Sequence, residues 1–439
     1  MTTSRTPVLV TAAVVAAVTT AILPFVHVQV AESPSFMPAL IAAVTVFDVM
    51  SVYLLVGDFR DTGESRTLVT AVAYTWSLAM MLGYALAFPG AIRADPPLAF
   101  TSSMAPYLYL TWHCGFPVIL GLAWAPWPAR ITRRVAARFR RGAAVGATAG
   151  ALAVGVLVVT LLCIFADRLP VLIDGLDTSR MTSLTAPVVL PLVALALVAA
   201  ITGTWHRTGA ERWVSVAVLA CACDLVLTYA ARKRFSLGWY SGRSLTLVAT
   251  GVVLVAMLAS FRRLKAQADR DALLDPLTHL SNRRGAMGAL ELMVLRAHRA
   301  GTTMGVIALD LDWFKKINDR AGHEAGDQAL VDVARVLDRF SRGGDVTARM
   351  GGEEFLVILH DTDSAGVLVA AERLRHLIST VVVPGVPTNL TASLGATVLE
   401  ARDPDVAAVL RRADAALYDA KHNGRNRVES RFAETLALS

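Results

Sequence analysis

The stretch VTARMGGEEFLVILH, Val346 to His360, sets two glycines and two adjacent acids between two runs of strand-forming residues. The pattern predicts a β-hairpin, and a two-residue turn with positive φ accounts for Gly351 and Gly352. It does not account for Glu353 and Glu354. A solvated hairpin end could carry them without consequence, whereas a metal or phosphate site would need backbone and carboxylate to approach one ligand together.

Outward from the hairpin, residues 275–439 are long enough for one domain with its own core. Periodicity predicts a helix near 283–299, the strand GVIALDL, helices near 313–317 and 324–342, and strands VTARM and EFLVILH. A helix near 365–378, the strand LTASLGATVL, a helix near 406–422 and a closing strand NRVES follow. Strand, helix, strand, strand, helix, strand is the split βαβ, ferredoxin-like plan, which does not by itself name a function.

Within ALDLDWF, Asp310 and Asp312 share one side of a strand because alternate residues do. In this plan that strand lies beside the hairpin, so Asp310 and Glu353 can meet. Two hard oxygen donors next to a glycine turn suit Mg²⁺, for which Mn²⁺ could substitute, with the remaining ligands supplied by water and phosphate oxygens.

Five segments in order carry a resemblance: DPLTHLSNRR (275–284), DLDWFKKINDRAGHEAGDQAL (310–330), RMGGEEF (349–355), SLGA (393–396) and ADAALYDAKHNGRNRV (413–428). This half resembles the GGDEF-domain diguanylate cyclases, a family that admits Asp or Glu at the third motif position. The resemblance implies condensation of two GTP to cyclic di-GMP with release of two pyrophosphates, in a homodimer whose domains each hold one GTP. Carried across, Asp310, the Leu311 carbonyl and Glu353 would hold the metals, with Glu354 nearby. Gly351 and Gly352 would let the nucleotide lie against the backbone, Asn318 and Asp327 would read guanine, and His323 would line the site. Lys315, Lys421 and Arg425 would contact phosphates, the last two sharing a face at a helix end.

The same resemblance makes Arg342 and Asp345, spaced RxxD upstream of the turn, an inhibitory site for the product, with Arg373 as a secondary contact. A catalytically silent cyclic di-GMP receptor is the competing reading, but such receptors usually lose the metal acids or the glycine pair, and both are present. No phosphodiesterase domain is expected.

The other half has a different chemistry. The chain has 439 residues, 55% hydrophobic and 18% charged, with mean hydropathy +0.52, and the apolar excess is concentrated before Arg262. Eight candidate spans fall near 7–29, 36–57, 67–89, 105–125, 143–165, 184–205, 213–230 and 244–261. The first is read as a retained span rather than a signal peptide. The net charge of +7 reads as topology signals and not as DNA or RNA binding. RRLK at 262–265 and the arginines 130, 133, 134, 138, 140 and 141 put both termini and the soluble half in the cytoplasm of a bacterial inner membrane. The segment ARKRFSLGWYSGR, with Arg232, Lys233, Arg234 and Arg243, falls on the opposite side, which a mis-split seventh span would explain.

Cys114, Cys163, Cys221 and Cys223 all lie in apolar runs and imply no disulfide framework. Their spacing, with or without His113, matches no strong metal or haem pattern. Asp48, His113 and Asp224 are ionisable within spans, which makes them sensing candidates or interhelical packing pairs. Transport with a regulatory tail finds no support in a pair of broken helices. The segments PSFMPALIAAVTVFDVMSVYLLVGDFR, AYTWSLAMMLGYALAFPGAI and LYLTWHCGFPVILGLAWAP resemble the fourth class of bacterial membrane-associated sensor (MASE) domains, implying an input module in the bilayer. The division expected is 1–261 membrane sensor, 262–274 helical connector with Phe261, Leu264 and Ala268 in a stripe suited to a two-stranded coiled coil or to packing on the next domain, and 275–439 catalytic domain. Asp275-Pro276 is expected to break the connector helix.

Overall fold

The computed structural model describes residues 5–88, 104–128, 134–383, 389–400, 403 and 405–432. It forms two compact units, Met1–Arg263 and Leu264–Ser439. Arg130 and Arg133, the last residue of the third expected span and the side chain of Ala268 lie outside the described residues.

The first unit is built of long helices: α1 Thr6–Ile22, α2 Phe36–Thr62, α3 Ser65–Ala87, α4 Met104–Trp124, α5 Ala137–Ile164, α6 Ser179–Thr204, α7 Trp213–Ala231 and most of α8 Leu237–Asp271, whose last turns fall in the second unit. Among the described residues, seven of these are long and apolar enough to cross a membrane, α4 being the exception. That helix carries His113 and internal Pro117 and packs between α3 and α6. Helices α3, α4 and α7 are the most enclosed, while α5 and α6 turn Val156, Ile164, Val188 and Leu195 outward. An apolar exterior around a core holding Asp48, His113 and Asp224 is the distribution a bilayer demands.

Helices α7 and α8 are separate, so the basic segment after α7 is not a mis-split span. Its backbone is tied down instead: Arg234 donates its N–H to Leu176, Thr178 donates to the Arg232 carbonyl, and Val30 donates to Phe235. The last span and the segment after it are one uninterrupted helix, α8. It ends at Asp271, before Asp275-Pro276.

The second unit runs β1 Ser281–Asn282, α9 Arg283–Ala300, β2 Met304–Leu311, α10 Phe314–Ala321, α11 His323–Phe340, β3 Val346–Gly351, β4 Glu354–His360, α12 Ser364–Ile378, β5 Ala392–Val398, α13 Val406–His422 and β6 Val428–Ser430. The sheet order is β1-β3-β4-β2-β5-β6. The four inner strands pair antiparallel in the ferredoxin-like arrangement, and β1 and β6 add in parallel at the edges. Asn282, Asp363 and Asp405 cap α9, α12 and α13 by accepting from backbone N–H groups.

Strand β2 is buried along its whole length. Ile307, Leu309 and Leu311 join a core with Leu330 and Val333 of α11 and Leu374 of α12. Met304, Val306 and Ala308 join the opposite core with Leu290 of α9 and Ala413 and Leu417 of α13. Alternation along the strand thus feeds two helix layers. Gly395 of β5 is where α13 comes closest: a Cβ there would strike the Ala413 carbonyl and the Leu417 backbone. The glycine of SLGA is therefore a packing requirement.

The start of the unit is fastened by Asp275. Its Oδ1 accepts from the Thr278 N–H at 2.9 Å and hydroxyl at 2.7 Å, and from Arg349 Nη1 at 3.1 Å. Burial acts to raise this carboxyl, but the Thr278 and Arg349 bonds outweigh it and hold it below the usual carboxylate value.

Gly395→Ala should lower stability by about 1–3 kcal/mol through overpacking, read as a reduced melting temperature of the solubilised protein; an unchanged melt would contradict the close approach. Asp275→Asn should cost about 1 kcal/mol near neutral pH. Because the folded-state pKa is depressed, this stability is present above the unfolded value of about 3.9 and is lost as the pH falls through the folded value. Wild type and variant should therefore converge below about pH 4 in acid-unfolding curves.

Candidate active site

The turn between β3 and β4 departs from the expected geometry by one residue. Gly351 pairs with Glu354, so the turn residues are Gly352 and Glu353, not the two glycines. Gly352 has φ +54° and Gly351 closes the strand at φ +149°, a conformation that L side chains rarely adopt. A register shift between Arg349 and Gly351 makes a bulge there, which re-aims the end of the hairpin.

Asp310, at the end of β2, is level with Glu354 of β4 and Ser393 of β5. Glu353 is tied to the same strand end, since the Leu311 N–H donates to its carbonyl at 3.3 Å. Asp310, Leu311, Glu353 and Glu354 thus converge at one strand end. Lys421 of α13 reaches the group with its Nζ 2.7 Å from Asp310 Oδ2. Burial raises the Asp310 carboxyl above its ordinary value, Lys421 opposes the rise, and the charges of Glu353 and Glu354 reinforce it.

This electrostatics calls for a cation. Among the described residues no three His, Cys, Asp or Glu side chains converge as a complete metal cage. Two carboxylates plus a backbone carbonyl are nevertheless an all-oxygen set of the kind that binds Mg²⁺ together with substrate phosphates. The donors fit the ion.

Asp312 lies just past β2 and is occupied structurally. Its Oδ1 accepts from the Ser393 hydroxyl at 2.7 Å, and its Oδ2 accepts from the Thr391 hydroxyl at 2.9 Å and the Asn426 N–H at 3.0 Å. It thereby fixes the turn after α13. Arg425 stands in that turn with φ +61°, so it is not on the helix, which ends at His422. The expected shared face with Lys421 is corrected accordingly: Arg425 stacks its guanidinium 4.1 Å from the Trp313 ring centroid, with Lys316 Nζ at 3.8 Å. Trp313, itself at φ +58° and half exposed, went unassigned by motif reading.

The remaining nucleotide candidates group by element. Asn318 lies near the end of α10, and its side chain rests against Gly326 of α11, where a Cβ would collide with it. His323 and Asp327 lie one turn apart on the exposed face of α11, so these three are brought together. Lys315 is exposed on α10. Arg349 was also missed: besides holding Asp275 it donates Nε–H to the Gly352 carbonyl at 2.9 Å, bracing the turn.

Arg342 and Asp345 follow α11. Both Asp345 oxygens accept backbone N–H groups, Oδ2 from Arg342 and Oδ1 from His360, each at 2.9 Å. Arg342 is exposed, and Arg373 of α12 lies over the Phe340 ring at 5.6 Å, beside that turn. In the first unit, Asp48 stands apart, accepting from Ser77 at 2.6 Å, while Ser77 accepts from Trp112 Nε1. His113 and Asp224 meet, with Nε2 and Oδ2 2.6 Å apart.

Residues 272–427 match the family model described as the diguanylate cyclase GGDEF domain. Residues 31–264 match the MASE4 membrane-associated sensor, an integral membrane domain. The chain is 34% identical over 222 residues to the probable diguanylate cyclase DgcT of Escherichia coli, covering 49% of each chain. It is 40% identical over 166 residues to the response regulator PleD of Caulobacter vibrioides (37% of each). It is 44% identical over 160 residues to the diguanylate cyclase DgcP of Pseudomonas aeruginosa (36% of this chain and 24% of that one). The chain thus spans about half or less of the length of these relatives. With more than half of its residues inside the sensor model, the chain belongs to the MASE4 family of integral-membrane sensors and carries a GGDEF domain.

Proposed function

We propose that this chain is a membrane-bound diguanylate cyclase whose GGDEF domain condenses two GTP into cyclic di-GMP and two pyrophosphates. The observation that carries the reading is the convergence of Asp310, Glu353 and Glu354 at the end of β2, opposed by Lys421. Similarity to named diguanylate cyclases supports it.

Asp310, the Leu311 carbonyl and Glu353 would hold Mg²⁺ or Mn²⁺. The ions would lower the pKa of the attacking 3′-hydroxyl and neutralise charge developing on the phosphates. The protein's own residues do the rest. Asp327 accepts from guanine N1–H and the exocyclic amine, a donor pair that adenine lacks, and Asn318 adds a group that both donates and accepts. His323 lines the nucleotide. Lys315, Lys421 and Arg425 hold the triphosphate, and the side-chain-free Gly351 and Gly352 let it lie along the turn. A new O–P bond forms from the 3′-oxygen of one GTP to the α-phosphorus of the other, the α–β bridging P–O bond breaks, and pyrophosphate leaves with that electron pair. The hydroxyl proton departs on the side where Glu353 and Glu354 stand.

Each domain supplies one GTP, so the active form is a homodimer. Phe261 and Leu264 are 61% and 67% exposed on α8, an apolar stripe suited to a second copy. The catalytic domain is cytoplasmic at a bacterial inner membrane, a reading supported by Arg262, Arg263 and Lys265 after the last span and by Arg134, Arg138, Arg140 and Arg141 at the same end of the bundle. The domains follow as 1–261 sensor, 262–274 connector and 275–439 cyclase. Arg342, Asp345 and Arg373 bind the product and restrain turnover, a role supported by an exposed Arg342 and the proximity of Arg373.

Glu353→Gln should lower cyclic di-GMP formation from GTP and Mg²⁺ by roughly a hundredfold or more, because a metal-binding charge is removed. Near wild-type turnover would overturn the assignment. Arg342→Ala should raise the product concentration needed for half-inhibition by about tenfold or more while initial rates stay the same, since a charge-assisted contact is lost; an unmoved inhibition curve would refute that role.

A further inference from the structure

Lys421, Arg425 and Lys316 stand near the end of β2 but are held in two different ways. Lys421 is held by a carboxylate, with its Nζ 2.7 Å from Asp310 Oδ2. Arg425 and Lys316 form no ion pair among the described residues and share a ring instead. The Arg425 guanidinium lies 4.1 Å, and the Lys316 ammonium 3.8 Å, from the centroid of Trp313.

That ring is placed by backbone fixed on both sides. Trp313 follows Asp312, whose carboxylate is engaged by Ser393, Thr391 and the Asn426 N–H. Arg425 precedes Asn426; its own N–H donates to the Ala420 carbonyl at 3.0 Å, and the Asn426 side chain accepts from Arg375 Nη1 at 2.8 Å. The dipeptides Asp312-Trp313 and Arg425-Asn426 are thus joined by a hydrogen bond through one member and a stacked pair through the other. Lys316 belongs to the first turn of α10, where its N–H donates to the Trp313 carbonyl at 2.8 Å. Trp313 and Arg425 both take left-handed φ, +58° and +61°, uncommon for residues with side chains. Yet the indole is 53% exposed, so filling the core does not explain a tryptophan at this point.

An aromatic face holds a cation without using its hydrogen bonds. A guanidinium stacked on a ring keeps its N–H donors free in its own plane, and an ammonium keeps its three. A cation paired to a carboxylate must exchange one partner for another to bind phosphate, and a stacked one need not. The two positive charges also repel each other across one ring, which an anion beside them relieves. We propose that Trp313 is a positioning residue for the triphosphate: it holds the Arg425 guanidinium ready before GTP arrives and brings Lys316, a further phosphate-binding cation, to the same ligand. The proposal rests on reading this site as the GTP site.

The test uses the full chain in phosphatidylcholine nanodiscs with Mg²⁺ and a GTP analogue whose α–β bridging oxygen is replaced by methylene, so that it binds without turning over. GMP, which lacks the two terminal phosphates, is the comparison ligand. In calorimetric titration, Trp313→Ala should weaken the analogue by about threefold to tenfold, the scale of a cation held in place before binding, and weaken GMP less. Trp313→Phe keeps a ring face and should restore most of the affinity. Trp313→Ala and Arg425→Ala together should cost less than the product of their separate effects, because the ring acts through the guanidinium. Lys316→Gln, at an exposed helix position, should weaken the analogue by about twofold or more without touching the fold. With GTP itself, the Trp313→Ala loss should fall on KM rather than on kcat. No analogue binding by the wild type, unchanged affinity in Trp313→Ala, fully multiplicative effects with Arg425→Ala, or no effect of Lys316→Gln overturns the proposal. Equal losses for GMP and the analogue overturn it too, since they would give the ring to the nucleoside end. A wild type that binds the analogue with these variant effects yet makes no cyclic di-GMP fails as a cyclase and upholds this proposal, whereas cyclisation with an unmoved KM in Trp313→Ala overturns this proposal alone.

Discussion

A carboxylate partly withdrawn from water at the end of a buried strand, with two more beside it, is the constraint around which the candidate site of the soluble half is arranged. Strand β2 is enclosed on both faces, so Asp310 at its end is partly withdrawn from water while Glu353 and Glu354 approach from the hairpin. A charge in that position must be answered by a cation. Lys421 answers it from α13, and α13 can come that close because Gly395 has no side chain. Packing and electrostatics are therefore one arrangement: the glycine that admits the helix also admits the lysine.

The supports around this point are polar and mostly buried. Asp312 spends its oxygens on Ser393, Thr391 and the Asn426 backbone, and Arg349 joins Asp275 to the Gly352 carbonyl. Neither group needs to touch a substrate to matter. Each holds a segment whose backbone would otherwise be free to move, one beside the Arg425 turn and one beside the bulged hairpin. A site that must hold reacting groups in register depends on such bracing.

The membrane half handles charge under stricter terms, because no water is available to screen it. Asp224 is met by His113, Arg243 and three hydroxyls, whereas Asp48 relies on Ser77. The first cluster spans α4, α7 and α8, and α8 is the helix that continues without a break to Asp271. That cluster is therefore in direct contact with the element that leads out of the membrane half.

Much of this was legible in the chain itself, for a local reason. Hydrophobic period, caps and turn residues act over a few positions, so β2, α13 and the hairpin appear in the sequence close to where they form, and ordered short motifs marked the soluble half. The helical spans were equally plain, since twenty apolar residues need no partner to be recognised. What the tertiary structure alone decided were relations between distant residues. The one-residue shift of the turn, the departure of Arg425 from its helix to Trp313, the pairing of Arg349 with Asp275, and the burial of Arg243 beside Asp224 depend on bulges, left-handed turns and helix packing, which no spacing along the chain encodes.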